Sequence, residues 1–145
     1  MSFLDYYDPL HTTSLYVHIP LCLKKCAYCD FYSVKSDSDL ASAFTKKLSE
    51  ELIHVVDYFH KPFYTVYFGG GSPSILSIKQ LEDLCSIICK YGKPEEFTIE
   101  VNPEHLNYDF VFLFSEYFNR LSMGVQSLSA AVLKTLGRNA TLETT

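Results

Sequence analysis

The chain has 145 residues, of which 48% are hydrophobic and 20% charged, with a formal net charge of −5. That balance describes a single folded domain with a real core, excludes a disordered polymer, and argues against a nucleic-acid-binding surface. No apolar run reaches the length of a membrane span, and the opening MSFLDYYDPLHTT lacks the basic start and apolar centre of a signal peptide. Membrane association is not indicated, and the cytoplasm is the expected compartment.

Leu15, Tyr16, Val17 and Ile19 form a nearly continuous apolar stretch, the pattern of a strand buried on both faces. Pro20 ends its ladder, having no N–H to donate. Cys22, Cys26 and Cys29 follow with the spacing C-x-x-x-C-x-x-C, in the loop after the strand. In a reducing compartment, five cysteines of which three are clustered read as metal ligands before disulfides. Three thiolates suit an iron-sulfur cluster with one coordination position to spare, or a zinc site completed by His18. A set of ordinary buried thiols is the third reading.

Ser36 to Asp39 supply N-caps for a helix running to about Phe59, with Phe44, Leu48, Leu52, Val55, Val56 and Phe59 on one stripe. Phe63 to Phe68 predicts a second strand, followed at once by Gly69, Gly70, Gly71, Ser72 and Pro73. Ser77 and Gln80 form a capping box for a helix over Ile78 to Tyr91, stopped by Gly92. Cys85 and Cys89 repeat the C-x-x-x-C spacing on that helix and read as packed free thiols. A third strand is predicted over Phe97 to Val101, closed by Asn102-Pro103, and a helix over Tyr108 to Phe118. The fourth strand covers Arg120 to Val125, and Ser127 or Ser129 caps a last helix ending at Gly137. His11, His54, His60 and His105 show no ligand spacing and read as surface or partly packed.

Strands alternating with helices argue an α/β fold with about four parallel strand-helix units and right-handed crossovers. Functional loops of such sheets lie at the carboxyl ends of the strands. The cysteine loop, the glycine run, the end of the third strand at Glu100-Val101-Asn102 and Gln126 after the fourth are therefore expected on one rim.

These blocks, in this order, resemble the radical S-adenosylmethionine (SAM) superfamily. The match narrows with Tyr16-Val17-His18-Ile19-Pro20, Tyr67 to Pro73, Glu100 to Glu104, Asn119 to Ser127 and Leu136-Gly137-Arg138, which are similar to the blocks of the oxygen-independent coproporphyrinogen III oxidase-like group. Phe31 stands two places after Cys29, where the coproporphyrinogen dehydrogenases carry a further cysteine. That difference resembles the haem chaperone branch. Two departures accompany it: Asn139-Ala140 replaces the usual histidine after Gly-Arg, and Glu116-Tyr117-Phe118 replaces a glycine turn.

The resemblance implies a partial (β/α)6 barrel of which residues 1–145 are an incomplete core domain, with two further strand-helix units and a C-terminal domain missing. It also implies a 4Fe-4S cluster on Cys22, Cys26 and Cys29, its fourth iron chelated by SAM. Lys24 and Lys25 would favour the thiolates. Tyr16 would lean toward the cluster and SAM, and Tyr28 would contact the adenine. Gly70, Gly71 and Ser72 would meet the amino-acid end, and Glu100, Gln126 and Arg138 would make further SAM contacts. The implied chemistry is reductive cleavage of SAM to a 5′-deoxyadenosyl radical, with an electron donor protein as partner. Three functions follow: a chaperone that binds haem and hands it to acceptor proteins, an oxidase acting on a porphyrinogen, or a non-functional fragment.

Overall fold

The computed structural model describes residues 14–138. The expectations for His11 and for Asn139-Ala140 lie outside the described residues. Four parallel strands, β1 (Ser14–Ile19), β4 (Thr65–Gly70), β5 (Glu96–Val101) and β6 (Arg120–Met123), form one sheet in the order β1-β4-β5-β6. The order follows the chain without reversal. Right-handed crossovers then place α1 (Ser38–Phe59), α2 (Ile78–Ile88) and α3 (Tyr108–Tyr117) along one face, the winding of a barrel wall that these four strands do not close. A last helix, α4 (Ala130–Leu136), follows β6.

Strand periodicity divides the sheet into two unlike faces. Val17, Ile19, Val66, Phe68, Phe97, Ile99 and Val101 face the helices and pack against Leu52, Val56, Leu81, Leu84, Ile88 and Phe110. Phe68 lies at the centre, edge-on to Phe97 and Phe118 at centroid distances of 5.2 and 5.9 Å. Burying such a ring contributes about 1.5–3 kcal/mol. The opposite face carries Tyr16, Tyr67, Thr98 and Arg120 in one cross-strand row, with Glu100 beside Ser122 in the next.

This corrects the expectation for the first strand. Among the described residues β1 has one neighbour in the sheet, and Tyr16 is 57% exposed while Val17 is 3% exposed, so the strand is buried on its helix-facing side alone. The apolar run misled because tyrosine and histidine fill the open face with aromatic surface. A second difference lies just beyond Pro20. β2 (Leu21–Cys22) and β3 (Val34–Lys35) form a two-stranded parallel pair, extended by Val34 N–H to Pro20 O at 2.7 Å and Ser36 N–H to Cys22 O at 2.9 Å. The proline thus interrupts one ladder and the chain starts another.

Local signals account for most helix ends. Asp37 Oδ1 accepts from Leu40 N–H at 2.9 Å to start α1, a cap worth about 1 kcal/mol. His60 ends the helix in the left-handed region, φ 50°, two residues before Pro62. The capping box of α2 forms as expected, although the helix tightens to a 3-10 turn over Cys89–Tyr91. Asn107 caps α3 through Phe110 N–H at 2.8 Å. At α4, Ser129 occupies the N-cap position without a side-chain cap bond; the Ser127 hydroxyl instead accepts from Ser129 N–H at 3.1 Å. β6 stops at Met123, two residues before the expected Val125, where Gly124 N–H bonds to Val101 O.

Candidate functional site

The carboxyl ends of β1, β4, β5 and β6 surround one cavity of about 920 Å3. Cys22, Cys26, Cys29 and Tyr28 reach it from the loop after β1. Gly70, Gly71 and Ser72 reach it from β4 and the turn that follows, Glu100 from β5, and Gln126 and Arg138 from the segments after β6 and α4. Tyr16 is the one expected site residue that does not line it. With His18 it borders an apolar groove of about 520 Å3 between β1 and α1, and its hydroxyl bonds to His18 Nδ1 at 3.0 Å.

The cysteine loop and the glycine turn are in direct contact. Gly71 N–H donates to Ile19 O at 2.9 Å. A Cβ at Gly71 would lie 2.8 Å from Leu21 O and 2.9 Å from both Leu21 N and Cys22 Sγ, so only glycine lets the two segments meet. Gly70, at φ +116°, needs the absence of a side chain for its conformation as well as for space beside the His18 ring.

All three loop thiols are free and half-buried. Burial pushes the Cys22 thiol up from its ordinary value, and Cys29 and Cys26 add to the rise, against the lowering influence of Ser33 and then Lys25. Lys25 favours the Cys22 thiolate, as expected of it, but desolvation is the larger influence and the thiol stays raised. Ser33 Oγ is buried with no completed hydrogen bond and stands near enough to Cys22 to stabilise a thiolate there. Burial likewise raises the Tyr28 phenol, with Cys26 adding and Arg138 opposing.

A single four-coordinate ion needs its ligands to converge on one point. Among the described residues no group of three or more His, Cys, Asp or Glu side chains does so, and His18 is turned toward Tyr16. Cys22, Cys26 and Cys29 all line the cavity, a donor set that suits a cluster taking one thiolate per iron.

Beside the thiols, Glu100 Oε1 accepts from Tyr67 OH at 2.7 Å and Oε2 from Gly70 N–H at 3.2 Å. Arg138 is the other ordered charge. Its side chain is 7% exposed, its Nη2 donates to Asn102 Oδ1 and Gly124 O, both at 2.8 Å, and its Nη1 lies 3.9 Å from Cys26 Sγ. Glu104 Oε2 stands 3.7 Å from Arg138 Nη2, while Arg138 Nε and Glu104 Oε2 are buried without hydrogen-bond partners. Gln126 holds φ 66°, a conformation uncommon outside glycine and frequent at functional sites.

Sequence reasoning put Asn102 on the rim without a role, and it read His105 as surface or partly packed rather than as part of the site. Asn102 Nδ2 donates to Ser72 Oγ at 2.8 Å while Oδ1 receives Arg138, joining three rim segments. His105 lines the cavity, its Nδ1 2.8 Å from Ser74 Oγ, which also accepts from Asn102 N–H at 3.2 Å. The Asn102-Pro103 turn was visible, but nothing in the spacing tied it to Ser72 or Ser74. Cys85 and Cys89 lie away from the site, the first fully buried on α2 and held well above the ordinary thiol range by burial.

An open, singly wound parallel sheet with three thiols and a glycine turn on one rim defines an α/β protein of the barrel-wall type. The chain belongs to the radical SAM superfamily, whose family model matches residues 16–145. It is 38% identical over 132 residues to the heme chaperone HemW of Lactococcus lactis, covering 88% of this chain and 34% of that protein. It is 32% identical over 136 residues to the oxygen-independent coproporphyrinogen III oxidase of Escherichia coli, covering 90% of this chain and 30% of that protein. The solved structure of coproporphyrinogen III oxidase (HemN) from Escherichia coli, described as a radical SAM enzyme, superposes with a TM-score of 0.80 at 31% identity, covering 90% of this chain and 32% of that one. The chain thus spans about a third of the length of the curated relatives it matches. Among the described residues no helix is long and apolar enough to cross a membrane.

Proposed function

We propose that Cys22, Cys26 and Cys29 hold a 4Fe-4S cluster and that the adjoining cavity takes SAM, in a protein that binds haem and passes it to acceptor proteins. The observation that carries the cofactor reading is the convergence of the three thiols, the glycine turn, Glu100, Gln126 and Arg138 on one cavity. Its volume of about 920 Å3 suits a nucleoside-sized ligand. Its charges are mixed, with Lys24, Lys25 and Arg138 facing Glu100 and Glu104, which matches the zwitterionic end of an amino-acid cofactor. When bound, the cluster supplies the electron for reductive cleavage of the sulfonium, drawn from an electron donor protein.

In this reading Gly70, Gly71 and Ser72 present backbone and hydroxyl groups to the amino-acid end, and Glu100 takes its ammonium. Tyr28 covers the adenine, Gln126 and Arg138 complete the contacts, and Tyr16 acts from the adjoining face. The haem chaperone reading is supported by the similarity to HemW and by Phe31, 71% exposed at the place of the dehydrogenases' further cysteine. The similarity to the HemN structure supports porphyrinogen oxidation as the second reading.

Anaerobic reconstitution with iron and sulfide tests the cofactor site. The wild-type chain should gain the broad absorbance of a 4Fe-4S cluster, and Cys22→Ala, Cys26→Ala and Cys29→Ala should not. Equal iron uptake by all four overturns the proposal. Haem titration then separates the readings: saturable haem binding without porphyrinogen decarboxylation supports the chaperone, and the reverse supports the oxidase.

A further inference from the structure

Glu100 projects from β5 into the cavity, and both of its oxygens are engaged from β4. Tyr67 OH donates to Oε1 at 2.7 Å and Gly70 N–H donates to Oε2 at 3.2 Å. Two donors on two oxygens fix the plane of a carboxylate, where one would leave it free to turn. Each oxygen retains a second lone pair for a ligand. Tyr67 is itself held: its ring lies 6.0 Å from that of Tyr16 across the β1–β4 pairing, and it stands beside Ser122. Burial and the bond to Glu100 keep its phenol above the ordinary tyrosine value, so it remains a proton donor throughout the neutral range.

Gly70 adds a second reason for the arrangement. Its N–H donates to Glu100, its φ of +116° is one that only glycine adopts readily, and the same residue leads into the glycine turn that contacts the Cys22 loop. The carboxylate therefore ties the conformation of that turn to β5. Without the Tyr67 bond, Glu100 would be free to rotate about its terminal torsion, and its alignment toward the cavity would depend on the longer Gly70 bond alone.

We infer that Tyr67 is a positioning residue that orients Glu100 to receive the ammonium of a cofactor's amino-acid end, and so sets the preference for SAM over adenosine-type ligands that lack that end. This rests on the proposed SAM site. Tyr67→Phe keeps the ring and its packing and removes only the donor.

The test measures binding of SAM and of 5′-methylthioadenosine, which lacks the amino-acid portion, to the anaerobically reconstituted chain. The proteins compared are wild type, Tyr67→Phe, Glu100→Gln and the double variant. Tyr67→Phe should weaken SAM about five- to tenfold, the scale of one ordinary hydrogen bond, and change methylthioadenosine less than about twofold. In the Glu100→Gln background Tyr67→Phe should add almost nothing, because the residue it orients has lost its charge. Unchanged SAM affinity in Tyr67→Phe overturns the inference, as does equal weakening of both ligands, which marks a general structural role. Full additivity of the two substitutions also overturns it, since Tyr67 would then act independently of Glu100. Wild type binding neither ligand overturns the cofactor site itself, and with it the inference; wild type binding SAM while Tyr67→Phe is unaffected overturns the inference alone.

Discussion

Gly71→Ala places one methyl group where the cysteine loop and the glycine turn touch. The new Cβ would stand 2.8 Å from Leu21 O and 2.9 Å from Leu21 N and Cys22 Sγ, against ordinary contacts that begin at 3.4 Å. About half an ångström must be recovered. Two of the three atoms are backbone of β2, and that backbone is held by Val34 N–H on Pro20 O and Ser36 N–H on Cys22 O. A side-chain rotation therefore cannot relieve the clash. Overpacking of this kind costs about 1–3 kcal/mol, which for a domain of this size lowers Tm by roughly 3–9 °C. The chain still folds, since total stability is about 5–15 kcal/mol. The Cys22 thiol is displaced, and iron bound after anaerobic reconstitution should fall to less than half of wild type. Gly69→Ala is the control: its Cβ would press on the Tyr67 and Tyr16 rings and on no atom of the cysteine loop, so iron uptake should be retained. Wild-type iron content in Gly71→Ala, or the same loss in both variants, would refute this account of the contact.

Other consequences are separate. His105 is held below the ordinary imidazole value by burial, with Glu104 opposing and Arg138 reinforcing. A depressed folded value means the neutral ring is favoured, so its stability contribution is complete above about pH 6.5 and declines as pH falls below it. Thermal melts from pH 7.5 to 5 should show this slope, and His105→Gln should flatten it. Phe68→Ala removes a fully buried ring between Phe97 and Phe118 and should cost about 3–5 kcal/mol in denaturant melts. Asn102→Ala removes the link between Ser72 and Arg138, and SAM affinity measured by calorimetry should fall about tenfold while iron content stays near wild type.

The sequence made the helices and the four strands of the main sheet legible because both rest on local rules. The stripe of α1, the Ser77–Gln80 box and the short β-branched and aromatic runs each lie within one window of chain. The rim placement followed from the strand-helix alternation, and Cys22, Cys26, Cys29, Gly70, Gly71, Ser72, Glu100, Gln126 and Arg138 all border the cavity. What was not legible depends on distance along the chain. Arg138 approaches Cys26 across 112 residues, and Tyr67 reaches Glu100 across 33. No periodicity encodes such partners. The β2–β3 pair escaped for the same reason, being two residues on each side joined by backbone groups that any sequence carries. The charge of Lys25, which favours the Cys22 thiolate, is visible in a sequence, whereas the burial that outweighs it is a property of the folded loop.

The contact between the two loops bears on how the site is kept in order. A cysteine loop alone would be a mobile surface segment, and a glycine turn alone would be permissive by its composition. Here Ile19 O receives Gly71 N–H, Gly70 N–H holds Glu100, and Arg138 reaches from the far end of the chain to the rim of β5, the rim of β6 and Cys26. The thiols and the surface facing them are thus parts of one hydrogen-bonded rim. A displacement at Gly71 must reach Cys22 through van der Waals contact and Glu100 through the adjoining residue of the same turn. The register of β1 against β4, which sets His18 opposite Gly69 and Ile19 opposite Gly70, therefore fixes the spacing between the thiol loop and the glycine turn.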